Sequence, residues 1–116
     1  MRVPIELANP ADRDRLVTVD SALVDTGATF TTIPRALADR LGLDVIGQRQ
    51  ARSAAVSVLI DESYAYFEYD GRHTVTPVWI NDDYPGVLIG VITLEALGLA
   101  VDLGTGKLID SELLFL

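Results

Sequence analysis

The chemistry in this chain is concentrated where an aspartate ends an apolar run and a hydroxyl and a glycine follow it. The stretch reads Ala22-Leu23-Val24-Asp25-Thr26-Gly27-Ala28-Thr29. Burial disfavours the charged form of a carboxyl, whereas backbone amides pointing at it favour that form. A carboxyl under both influences suits general acid–base work. Gly27 permits a tight turn that brings amides close, and Thr26 offers a hydroxyl for a neighbouring chain. The same residues also describe a plain strand–turn junction, with the aspartate bonding turn amides. On the tripeptide alone, both readings stand.

Other chemistries find less support. His73 is the sole histidine, which leaves no multi-histidine metal site within one chain. It follows an Asp70-Gly71 turn and reads as a solvated residue. No Gly-x-Ser-x-Gly elbow accompanies it. The chain lacks cysteine, so disulfides, thiolate catalysis and Cys-ligated metals drop out. That composition accords with a cytoplasmic protein. Asp61-Glu62 and Asp82-Asp83 read as solvated turn acids. Gly104-Thr105-Gly106 lacks the lysine and spacing of a phosphate loop. With 17 acidic against 9 basic residues the formal net charge is -8, and no basic cluster points to nucleic acid or an anionic membrane. No metal and no cofactor are expected. The N-terminus lacks the apolar core of a signal peptide, and no apolar stretch is long enough to span a bilayer.

The elements that must position Asp25 are mostly strands. Arg2 to Leu7 alternates, and Leu16 to Val24 forms a second strand that delivers the aspartate. Phe30 to Ile33 is short and partly β-branched. Pro34 to Leu41 reads as a short helix, with Pro34 in the first turn and Gly42 as its stop. Leu43 to Ile46 returns to extended chain. Gln48 to Ile60 and Ser63 to Tyr69 suggest a long hairpin, and Asp70-Gly71 a tight turn into Arg72 to Ile80. Val87 to Ile89 is a continuous apolar run, as expected of a buried strand. Ile92 to Leu97 is a second short helix closed by Gly98. A last hairpin joins Leu99–Leu103 to Lys107–Ile109. Trp79, Tyr64, Tyr66 and Tyr69 read as sheet residues, some of them available to line substrate pockets. The expectation is one mainly β domain over residues 1–116, a small closed β-barrel with two short helices.

Two motifs in order make the reading more specific. Leu23-Val24-Asp25-Thr26-Gly27-Ala28 and, downstream, Leu88-Ile89-Gly90 followed by a helix resemble the retropepsins, the single-domain relatives of pepsin. Thr32-Ile33-Pro34, Leu41-Gly42-Leu43 and Thr93 to Leu99 look like the bacterial and archaeal branch. The likeness runs from about Val3 to Ile109. It implies an aspartic endopeptidase of retropepsin fold, with Asp25, Thr26 and Gly27 catalytic and Leu88, Ile89 and Gly90 threaded behind the catalytic loop. It also implies that Ala28, Thr29 and the flap residues Ala54, Ala55 and Val56 meet an extended peptide substrate. The family has one Asp-Thr-Gly per chain, so the partner implied is a second copy. Acid–base chemistry points the same way: amide hydrolysis needs a base and an acid, and no second Asp-Thr/Ser-Gly is present.

The chain departs from the family in places. The flap region Arg52 to Ser57 has no glycine. Thr29 and Val91 stand where viral members pair an acid with an arginine. Ile92 stands where relatives often carry Asp or Asn. The apolar tail Leu113 to Leu116 reads as an interface strand, or else as a strand covering the core. Two further readings therefore remain: a retropepsin-fold module that dimerises or binds peptide without cutting it, and a small β domain whose Asp-Thr-Gly is coincidental.

Overall fold

The computed structural model describes residues 1–52 and 55–111. Alternating burial defines the strands. In β1 (Arg2–Ala8), Val3, Ile5 and Leu7 point inward. β2 (Val17–Val24) pairs antiparallel with β1, and β3 (Thr31–Pro34) leads into α1 (Arg35–Leu41). Pro34, which lacks an N–H, stands just before the helix, where no intrahelical donor is needed. Gly42 ends the helix at φ 66°, a left-handed conformation that a side chain would oppose.

β4 (Gly47–Arg52) and β5 (Ser57–Tyr69) form a long hairpin, and β6 (Arg72–Asn81) returns along β5. The β5–β6 turn has φ 48° at Asp70 and 78° at Gly71, the two positive angles of a type I′ turn. β7 (Leu88–Ile89), α2 (Val91–Ala96), β8 (Leu99–Val101) and β9 (Leu108–Asp110) complete the chain.

The strands join in the order β1-β2-β7-β3-β6-β5-β4, and β1 also pairs with β5. The sheet thus returns on itself as a ring, with β4 attached outside it. This mainly β architecture with two short helices is the retropepsin-type fold expected. Phe67, Ile5, Leu7, Ile33, Ile89, Val78 and Val87 fill the interior. Each such side chain contributes about 1.5–3 kcal/mol by leaving water. Among the described residues, no helix is long and apolar enough to cross a membrane.

Two expectations need correction. The hairpin does not break near residues 61–62. β5 runs unbroken from Ser57 to Tyr69, and its ladder with β4 extends to the pair Arg52–Ser57. The acidic pair tolerates a strand because both members have partners: Asp61 receives bonds from Arg35 and Gln48, and Glu62 from Trp79, with Arg49 as its ion pair. Asp61 and Asp82 are therefore not merely solvated, because Arg35 reaches both. Ala54 and the tail Leu113 to Leu116 lie outside the described residues.

Candidate active site

Asp25 stands where β2 gives out. Its N–H donates to the Ile89 carbonyl at 3.0 Å, and the Leu23 N–H donates to that of Val87 at 2.9 Å. The parallel β2–β7 ladder, with Leu23 beside Leu88 and Val24 beside Ile89, thus carries the aspartate on its end. The chain then doubles back: the Gly27 N–H donates to Asp25 Oδ1 at 2.9 Å, and the Ala28 N–H to the Asp25 carbonyl at 3.2 Å. A Cβ on Gly27 would lie 3.2 Å from Oδ1, so a side chain there would press on the carboxylate. Oδ2 has no hydrogen-bond partner among the described residues. Asp25 is half-buried, and Thr26 and Gly27 are exposed. The loop therefore offers one held and one available carboxyl oxygen at the protein surface.

The second motif braces this loop from behind. A Cβ on Gly90 would lie 2.6 Å from both the carbonyl carbon and the oxygen of Phe30, and 2.9 Å from the Thr29 oxygen. Only glycine fits there, because the obstacle is backbone. The Gly90 N–H donates to Thr31 Oγ1 at 3.0 Å, the Val91 N–H to the Ala28 carbonyl at 2.9 Å and the Ile92 N–H to that of Thr29 at 3.0 Å. These bonds satisfy amides at the start of α2 that a helix leaves without partners. Thr29 and Val91 lack the side chains of the viral ion pair, and the junction is joined instead by main chain, Val91 to Ala28 and Ile92 to Thr29. Thr31 Oγ1 lies 2.6 Å from Thr93 Oγ1, which lies 3.0 Å from Thr76 Oγ1. All three threonines are buried, and none of their hydroxyls is orphaned.

Register shows which face looks outward. Directly paired residues share a face of a sheet. The pairs Leu23–Leu88, Leu88–Thr32, Thr32–Trp79, Trp79–Glu62 and Glu62–Gly47 cross five strand boundaries on one face. The intervening Ile33, Val78, Ile80 and Ile89 are buried in the core. The outward face is thus a wall running from the strand that ends in Asp25 to the β4–β5 hairpin. A concavity of about 400 Å³ opens beside it, lined by Thr32, Val58, Ile60 and Trp79 among others.

Of the expected substrate contacts, Ala28 is half-buried, while Thr29, Ala55 and Val56 are exposed. Ala28 and Thr29 belong to the Asp25 loop, whereas Ala55 and Val56 lie at the far end of the hairpin. Sequence reasoning missed the threonine chain, although Thr31 falls in the same inward phase of β3 as Ile33. It also missed two charged clusters on the hairpin. Arg35 bonds Asp61 at 2.8 Å and grips both carboxyl oxygens of Asp82 at 2.8 and 3.1 Å. Hydrogen bonds from Gln48 and Arg35 hold the Asp61 carboxyl below its ordinary value, and Arg35 does the same for Asp82. On the other face, Arg49 pairs with Glu62 and lies over Phe30. Partners 26 and 47 residues apart leave no local signature.

Residues 14–92, which include Asp25 and Gly90, match the family model described as Aspartyl protease. No curated protein matches the sequence. Solved structures that share the fold include the following three. The retroviral protease-like domain of Ddi1 from Leishmania major is 17% identical with a TM-score of 0.59, over 97% of this chain and 90% of that one. EIAV protease, solved with the inhibitor HBY-793, is 18% identical with a TM-score of 0.59, over 99% and 92%. The Simian Foamy Virus (mac) protease is 20% identical with a TM-score of 0.57, over 78% and 87%.

Proposed function

This chain belongs to the aspartyl protease family, and from that premise we propose that it is one protomer of a homodimeric aspartic endopeptidase. The observation that carries the reading is the Asp25 carboxyl itself, with Gly27 holding one oxygen and the other available at the surface. One chain supplies one such group. A two-fold axis through the loop supplies its mate at no cost in sequence.

Two neighbouring carboxyls cannot both ionise cheaply, so the pair shares one proton. The ionised member takes a proton from a water held between them, and the water oxygen bonds to the peptide carbonyl carbon. The protonated member gives its proton to the carbonyl oxygen. The member that took the water's proton then gives it to the departing nitrogen, the other member recovers a proton from a hydroxyl of the tetrahedral intermediate, and the C–N bond breaks. The products are a carboxylic acid and an amine, and no acyl-enzyme forms. Thr26, exposed beside the carboxyl, bonds across the axis and locks the two loops. The substrate lies extended along the outward wall.

The test is cleavage of a mixed peptide pool at acid pH by wild type and Asp25→Asn. The variant is expected to lose at least about 100-fold, the lower bound of what general acid–base catalysis contributes. Equal rates would overturn the peptidase reading. Sedimentation over a concentration series checks the dimer, and a monomer throughout would contradict it. The second reading, a module that binds peptide or dimerises without cutting, draws on the absence of glycine from Arg52 to Ser57 and on Ile92. It predicts peptide binding with no Asp25-dependent cleavage.

A further inference from the structure

The β4–β5 hairpin lacks glycine between Arg52 and Ser57. The outward face supplies a closed circuit of four side chains at the hairpin base. The Arg49 guanidinium on β4 lies 5.6 Å from the centre of the Phe30 ring. Phe30 stacks on Trp79 of β6 with ring centres 4.8 Å apart and planes 21° from parallel. Trp79 Nε1 donates to Glu62 Oε2 of β5 at 3.1 Å, and Arg49 Nε reaches that same oxygen at 3.2 Å. The Glu62 side chain is 13% exposed, so its charge sits largely out of water and depends on these two donors.

The circuit joins three strands to the catalytic loop. Phe30 lies five residues past Asp25, and its own backbone is wedged against Gly90. Any swing of β4 away from the wall therefore breaks the contact with a residue that the active-site loop holds rigidly. We propose that Arg49, acting through Glu62, Phe30 and Trp79, positions the β4–β5 hairpin over the Asp25 loop for an extended peptide. This rests on the peptide-cleft reading above and names Arg49 as a positioning residue of that site. Lysine cannot replace it fully, because a flat guanidinium both pairs with the carboxylate and lies on the ring.

Trp79 is the sole tryptophan, so its emission reports on the circuit directly. The experiment compares full-length wild type, Arg49→Met and Arg49→Lys, with and without Asp25→Asn. The mixed peptide pool serves as probe at acid pH. In wild type, Arg49→Met is expected to raise KM about tenfold with kcat within about twofold, and Arg49→Lys to recover part of that loss. In the Asp25→Asn background, peptide changes Trp79 emission, and Arg49→Met weakens that titration by a similar factor. Amide exchange of residues 47–52 and 57–60 in the free protein should quicken about tenfold, while that of 23–25 and 87–89 stays put.

Arg49→Met with unchanged exchange, KM and emission titration would overturn the proposal. So would exchange that rises equally at residues 87–89, since Arg49 would then be merely structural. Loss of cleavage alone, with emission and exchange behaving as described, would remove the peptidase reading and leave the positioning role standing.

Discussion

The two halves of the cleft wall are held in opposite ways. Around Asp25 and Gly90 the contacts are main chain and buried hydroxyl, and apart from the Gly27 N–H on the Asp25 carboxyl none involves an ionisable group. At the β4–β5 hairpin they are guanidinium–carboxylate pairs on partly exposed strands. Buried uncharged bonds are short, unscreened and indifferent to acid. Exposed ion pairs weaken with salt and with protonation. On the dimeric reading proposed above, a carboxyl that must meet its symmetry mate needs the first kind of support. On the same reading, a hairpin that admits a peptide is served by the second, because local stability is lowest where few apolar contacts hold a segment.

The comparison breaks first at Gly90. Gly90→Ala forces a methyl to within 2.6 Å of the Phe30 backbone. A loss of about 3 kcal/mol or more is expected, shown by denaturant titration. A near-neutral result would mean the brace is not rigid. Next comes the threonine chain. Thr93→Val removes the central hydroxyl of a buried network, and a loss of about 1–3 kcal/mol is expected. Thr93→Ser keeps the hydroxyl and should cost less, so equal losses would show that the methyl, not the bond, matters.

The smallest effect is expected at Arg35. Its two carboxylates titrate below their ordinary value of 3.8, so their pairing stabilises the hairpin fully above that pH. It is lost as pH falls through the depressed values, once both carboxylates take up protons. The attachment therefore holds through mildly acid conditions and loosens only in stronger acid. Arg35→Gln should shift the melting temperature only slightly at neutral pH and remove part of its fall in strong acid or high salt. A large drop at neutral pH, insensitive to salt, would mean that the hairpin is held as firmly as the loop.

Much of the wall was readable along the chain. Alternation marked the strands, Asp70-Gly71 its turn and Gly42 the helix end, because φ preferences and side-chain period act locally. The unbroken course of β5 through Asp61-Glu62 was not readable. An acid pair reads as a turn until Arg35, Gln48, Arg49 and Trp79, brought in from other elements, neutralise or bond it.

Sequence by itself determined the aspartate, its glycine and the second apolar motif, since these depend on residue type and on the order in which strands leave the ring. Tertiary structure alone decided that Gly90 must lack a side chain against Phe30, that three distant threonines share hydroxyl contacts, and that Arg35 and Arg49 grip opposite faces of one hairpin. Those outcomes depend on closure of the sheet. Ring closure brings together residues whose separation along the chain carries no information about their contact.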